Sequence, residues 1–360
     1  METQVEELLR QSRAAPRGPT AIALAEEAVR LADSARDPQL GMLARGALID
    51  AAGHGGRSDK MLVAFAWVLA QCDAGERKEP LFHESTWLWR YKWVGEHVAE
   101  FPHITRGQIS ALFDDMELRY ARNGNSAKPV HKLRCNACIR MGRLEEARHW
   151  LRLWQDTPKD WKNDCAACEA DALGQFQLAL GDFAGAMQTF APIVEHGRLR
   201  CAEVPHLTYS RTLLPLARDG QAERASQYHE QGYRRIRGNP DFIEPVGRHL
   251  EFIGLYGETA EGLRLIERHL TWLTHSGSPL EHLAFYIGMR QVLAAARAKA
   301  RGETRRLRLP REVPVWRQDG VYRWDELIQW ADVELDKLAG AFDARNGNDY
   351  CARRVKEARA

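Results

Sequence analysis

GQFQLALGDFAGAMQTFAPIV, residues Gly174–Val194, is the stretch from which the fold can be read. Two apolar-periodic stretches flank the break Gly181-Asp182, and neither alternates as a strand would. Ala186 and Phe190 stand four apart on the returning stretch, the spacing of neighbours on one helix face. Leu173 and Gly174 close the first stretch against the second. A short break between two amphipathic helices makes an antiparallel helical hairpin. The preceding segment MGRLEEARHWLRLW, Met141–Trp154, repeats the layout with Gly142, Ala147 and Leu151.

Working outward, breaks with Gly or Pro fall near Gly18, Gly56, Pro102, Gly142, Gly181, Gly220 and Gly257, 37 to 46 residues apart. Helical stretches lie on both sides of each. About seven hairpins at a near-constant period predict an all-α solenoid. Small residues recur five positions after the turn, at Ala147 and Ala186, where helix backbones must approach closely.

On these residues the chain resembles the tetratricopeptide repeat (TPR) family, whose unit is a helix-turn-helix with small and aromatic residues at these offsets. The resemblance covers 128–198 and, less closely, 206–276, where Gly220/Ala225 and Gly257/Gly262 keep the turn and the small residue. Before residue 125 it rests on hairpin rhythm alone. The period exceeds the family's repeat of about 34 residues, and the family's proline after the second helix is mostly absent.

The pattern changes after 276. LEHLAFYIGMRQVLAAARAKARG, from Leu280, reads as one long helix over the last hairpin. The basic run Arg301–Arg311 reads as a solvated linker, and Pro310 and Pro314 exclude continuous helix there. Val315-Trp316 and Val321-Tyr322 flank Asp319-Gly320, the pattern of a small β-hairpin. From Trp324, the residues Leu327, Trp330, Val333, Leu338 and Phe342 repeat at helical spacing and predict a cap for the solenoid's exposed end. The organisation expected is therefore a repeat solenoid over 1–301, a Pro-containing basic connector over 302–322, a capping helix over 323–346 and a loose tail over 347–360.

Composition excludes several classes. In 360 residues, 44% are hydrophobic and 28% charged, an ordinary folded composition. Fifty-one Lys and Arg against 49 Asp and Glu leave +2, without the electrostatic footprint of a nucleic-acid binder. No run is apolar enough to cross a bilayer. The acidic start METQVEELLRQ lacks the basic and apolar regions of a signal peptide. Seven cysteines, an odd and small number, fit free thiols in a reducing cytoplasm.

Catalytic signatures are absent: no G-x-S-x-G elbow, no H-E-x-x-H and no EF-hand loop. Gly53-His54-Gly55-Gly56 is followed by Arg57-Ser58-Asp59-Lys60 and reads as a hairpin turn, not a phosphate loop. No enzyme activity and no cofactor are expected. Trp87, Trp89 and Trp93 share a stretch with Arg90, Tyr91 and Lys92; packing against the next hairpin is the plainer reading than stacking on bases.

Cys135-x-x-Cys138 and Cys165-x-x-Cys168 have the spacing of a zinc site. Counted from their turns, however, the pairs are displaced by about 13 Å along neighbouring helices, too far for one ion. Cys201 and His206 sit at the same end of the stack as Cys165 and Cys168. Those four would suit tetrahedral zinc, against the plainer reading of cysteines as small packing residues.

Stacked hairpins create a groove lined by the first helix of each repeat. Lys132, Asn136 and Arg140 recur at four-residue spacing before Gly142. Asp171 and Gln175 form the equivalent stripe in the next repeat, and Ser210 with Arg218 continues it. Some TPR domains hold a C-terminal carboxylate with Lys and Asn on the first helix, Asn on the second, and Lys and Arg on the third. Lys132, Asn136 and Arg211 match three of these; Ala172 and Leu207 stand at the other two. The resemblance thus implies an adaptor or regulatory protein that binds a protein segment, with an acidic end, in this groove. A ligand-sensing regulator without its own DNA-binding domain, and an enzyme or accessory subunit with a site shared between repeats, are the alternatives.

Overall fold

The structure, a computed structural model, describes residues 2–74 and 84–360. Successive helices form packed pairs: α1 (Glu2–Ala14) with α2 (Pro19–Ala35), α3 (Pro38–Gly53) with α4 (Ser58–Asp73), and α5 (Glu84–His97) with α6 (Arg106–Arg122). They continue with α7 (Lys128–Arg140) and α8 (Leu144–Asp156), α9 (Ala166–Ala179) and α10 (Phe183–Val194), α11 (His206–Arg218) and α12 (Ala222–Ile236), and α13 (Ile243–Tyr256) and α14 (Thr259–His275). Each break read from the sequence falls between the two helices of one pair. Among the described residues the chain is all-helical apart from one short ribbon, and no helix is long and apolar enough to cross a membrane.

Three turns are built alike. Gly142, Gly181 and Gly220 have φ of 70°, 88° and 81°, the left-handed region open to glycine. The residue after each donates its N–H five residues back, Arg143 to Cys138, Asp182 to Gln177 and Gln221 to Leu216, at 2.8, 2.8 and 2.9 Å. This closure satisfies the last carbonyls of the first helix and aims the chain into the second. Five residues on, Ala147, Ala186 and Ala225 are all fully buried, so the returning helix rests its backbone on its partner.

Beyond the pairs, α15 (Pro279–Lys299) lies along α13 and α14. Strands β1 (Thr304–Arg306) and β2 (Val321–Arg323) pair antiparallel, with Arg305 opposite Tyr322. The expected hairpin therefore has the right second strand and the wrong first one. Val315 and Trp316 instead pack as partly buried apolar residues against the core. Leu307 and Leu309 of the basic run are buried in that same core while Arg305 and Arg306 stay exposed, so the connector is anchored rather than free.

α16 (Trp324–Asn346) packs against α15, and its residues Trp324, Leu327 and Trp330 are buried. Residues 347–360, expected to be loose, instead carry α17 (Tyr350–Arg359). Cys351, Val355 and Ala358 of α17 are spaced to bury one face against Leu283, Ile287, Leu335 and Phe342. Its arginines had masked that face in the sequence. Arg345, at the end of α16, donates to the carbonyls of Ala99, Phe101 and Ile104 at 2.9, 3.2 and 3.3 Å, tying the C-terminal helices to the α5–α6 connection.

Candidate functional site

Helices α5, α7, α9, α11 and α13, the first members of five successive pairs, turn one face toward a common cavity of about 280 Å³. Six of the eight sequence candidates line it: Lys132, Asn136 and Arg140 from α7, Asp171 and Gln175 from α9, and Arg211 from α11. Ser210 is buried with its hydroxyl donating to the Leu207 carbonyl at 2.8 Å, and Arg218 is exposed near its turn; neither belongs to the lining. Ala172 and Leu207 do.

Lys132 and Arg211 are already engaged. The Lys132 ammonium donates to Asp164 and stands 3.4 Å from Glu96. Burial opposes its charge, but Asp164 and Glu96 raise its pKa well above the ordinary lysine value. Asp164 also accepts from Lys92 at 2.5 Å. Arg211 pairs with Asp171, which accepts from the Thr208 hydroxyl at 2.6 Å. Arg140 donates to Glu100 at 3.1 Å and lies 3.7 Å from Glu244, itself held by Arg248 at 2.6 Å. Burial works against the Glu244 charge, yet Arg248, Arg140 and Arg211 hold its carboxyl well below the usual range.

Sequence reasoning found Asp171 and missed the other seven acids. Glu96, Glu100, Asp164, Asp171, Glu203, Asp241, Glu244 and Glu281 all line the cavity, eight carboxyl groups against three bases and the imidazoles of His54 and His97. Several arrive from connections rather than helices: Asp164 precedes α9, Glu203 precedes α11, and Asp241 sits in a single 3₁₀ turn before α13. One signal was readable, since Glu96 and Glu100 repeat at the same i, i+4 spacing as Asn136 and Arg140, which they bond.

The crowding moves protons. Burial, reinforced by Glu203 and Glu100 and opposed by His97, pushes the Asp241 carboxyl up to about 7. Burial beside Glu100, Asp241 and Glu244 raises Glu281 well above its ordinary value. For His97 burial opposes the charge, but Glu100, 3.0 Å from its Nδ1, pushes it up to about 9. Two lining acids are thus driven toward the neutral form, by burial first and by neighbouring carboxylates second.

One acceptor is left over. Asn136 is 5% exposed; its Nδ2 donates to Glu96 at 2.7 Å, while its Oδ1 has no hydrogen-bond partner. An unsatisfied buried acceptor costs roughly 1–3 kcal/mol. Trp93, Phe176 and Phe242 supply apolar wall. The free acceptor and the excess of acids suit a group that donates hydrogen bonds and carries positive charge, while Arg140 Nε and Arg211 Nη1 are donors of the same lining without a hydrogen-bond partner.

The cysteines divide as their positions along the helices suggest. Cys135 and Cys138 are buried among Ala147, Trp154 and Phe176 as packing residues. The sulfurs of Cys165, Cys168 and Cys201 lie within 4.8 Å of one another. His206 is outside that group; its ring stacks on Phe242 at 5.8 Å. Of the tryptophans, Trp87 is buried in the core, Trp89 carries the Lys92 ammonium 3.8 Å over its ring, and Trp93 faces the cavity.

No family model matches the sequence, and no curated protein matches it either.

Proposed function

We propose that the chain is a TPR-like solenoid of about seven hairpins whose concave cavity binds a partner protein segment through a cationic group, a lysine or arginine side chain or a free N-terminus. The carrying observation is the unpartnered Asn136 Oδ1 in a cavity lined by eight carboxyl groups, two of them pushed toward the neutral form, against three bases and His97. The acidic partner end implied by the family comparison gives way to a basic one. Lys132 and Arg211, the residues that would clamp a carboxylate, spend their charge on Asp164, Glu96 and Asp171. A further carboxylate would enter an already acidic space, where like charge costs several kcal/mol.

A second reading, a sensor of a small cationic ligand, is favoured by the size of the cavity, near the lower end for small-molecule sites (~300 Å³). The test is titration calorimetry with three hexapeptides of equal length, rich in lysine, serine or glutamate, and with arginine amide as the small cation. Binding of the lysine peptide, weakened tenfold or more in Asn136→Leu, is the expected result. Tighter binding of the glutamate peptide would overturn the charge assignment. Binding of arginine amide alone would select the small-ligand reading.

A further inference from the structure

Cys165 caps the N-terminus of α9 in an extended conformation (φ −65°, ψ 160°), and Cys168 follows one turn later, so their side chains share one side of the helix. The third sulfur comes from the connection between α10 and α11. Cys201 donates its N–H to the Val204 carbonyl at 3.0 Å, and the Glu203 N–H points at the Cys201 sulfur at 3.4 Å. That short loop holds Cys201 Sγ 3.2 Å from Cys168 Sγ.

All three are free thiols, and the sulfurs lie within 4.8 Å of one another. Thiolates bound to tetrahedral zinc at about 2.3 Å stand ~3.8 Å apart. Closing the observed triangle onto an ion therefore needs shifts of about 1 Å, within the reach of rotations about χ1. Cys165 is exposed and the other two are half-buried, so an ion can arrive from solvent. Cys168 and Cys201 pack partly buried against the core, but the exposed Cys165 does not, so packing alone does not account for all three, as it does for the buried Cys135 and Cys138.

We propose that Cys165, Cys168 and Cys201 form a three-thiolate zinc site, its fourth position taken by water or by a ligand in the adjoining cavity, which Cys168 also lines. Soft thiolates select zinc over hard divalent ions, and three protein ligands leave one position open. Loading changes no oxidation state. Three thiols give up their protons to solvent as three S–Zn bonds form, so up to three protons are released per ion.

The test is a titration of the reduced, chelator-treated full chain with Co²⁺, followed by Zn²⁺. One equivalent of cobalt should bind with the thiolate-to-metal charge-transfer and d–d bands of a tetrahedral sulfur site, and one equivalent of zinc should bleach them. Cys165→Ser and Cys201→Ser should each weaken binding more than tenfold, whereas Cys135→Ala should leave the spectrum unchanged. Circular dichroism on each variant separates loss of a ligand from loss of fold. Absence of charge-transfer bands in the folded wild type overturns the proposal. So does undiminished binding in the Cys165→Ser/Cys201→Ser double variant. Selective uptake of Cu⁺ with no competition by zinc would overturn the assignment of the ion.

Discussion

The backbone N–H of Gly277 donates to the carbonyl of Gly56 across 3.1 Å, joining two connections more than 200 residues apart in the chain. Gly56 sits in the turn between α3 and α4, with φ of 75°, and Gly277 in the connection between α14 and α15. The cavity wall includes residues near both connections, Gly53 and His54 on one and Glu281 on the other.

Substitution at Gly277 tests that tie. A Cβ there would fall 1.9 Å from Asp59 Oδ1 and 2.3 Å from its Cγ. Asp59 is not free to swing away without loss, since both its oxygens accept from Arg57 at 2.7 and 2.6 Å. Gly277→Val should therefore cost about 1–3 kcal/mol, the usual range for forced overpacking. Urea unfolding reads the loss, and amide hydrogen exchange should accelerate around 56–60. A variant with unchanged midpoint and unchanged exchange would show that the two connections do not meet in solution.

Gly174, in the segment that first revealed the hairpin, makes a second steric prediction. A Cβ at this position would lie 2.3 Å from Cε1 and 2.6 Å from Cζ of Phe190. Phe190 is fully buried and cannot yield without opening the α9–α10 contact. Gly174→Ala should lower stability by about 1–3 kcal/mol, although alanine is the better helix former by roughly 1 kcal/mol. A stabilised variant would mean that helix propensity, not packing, decides the site.

How much was legible follows from the same residues. Gly142, Gly181 and Gly220 are visible because only glycine suits their backbone conformation, and Ala147, Ala186 and Ala225 because only a small residue fits the close approach. Local rules of this kind repeat, so a sequence reveals them. The stripe of Lys132, Asn136 and Arg140 was readable as one face, but its electrostatics were not. Asp164, Glu203 and Asp241 reach the cavity from connections, where no periodicity marks which residues face inward. The packed face of α17 was hidden for a different reason: an arginine-rich composition outweighed the spacing of Cys351, Val355 and Ala358.

Lys132 shows what that omission changes. Read as a free groove lysine, it invites charge reversal as a probe of binding. It is 5% exposed and bridges Asp164 and Glu96, so Lys132→Glu would place a third carboxylate among them. Removing one member of a buried pair costs about 3–5 kcal/mol. The reversed variant should unfold at markedly lower denaturant. Lys132→Met, which keeps the stem without adding charge, should lose less. Equal stability of wild type and Lys132→Glu would show that the ion pair is not buried in solution.

The histidines between α12 and α14 predict the response to acid. His249 Nδ1 and His229 Nδ1 are 2.8 Å apart, and the Tyr233 hydroxyl meets His269 Nε2 at 2.9 Å. Glu261 faces His229 at 3.2 Å, and the positive Arg268 acts on His269. Burial, with His229 and His269 adding, lowers His249 well below its ordinary value, and burial with Arg268 brings His269 down to about 3. A folded chain that refuses protons its unfolded form accepts loses stability as pH falls from about 6.5 toward 3. Groups with raised values, Asp241 and His97, act in the opposite direction, so the net slope of the wild type alone would be ambiguous. Comparison with His269→Gln isolates the contribution of His269, since glutamine can still accept from Tyr233 and does not titrate. The stability gap between wild type and variant should narrow in favour of His269→Gln by about 2 kcal/mol between pH 7 and 4.5. Denaturant unfolding at half-unit intervals measures it, and a gap independent of pH would mean that His269 is protonated equally in both states.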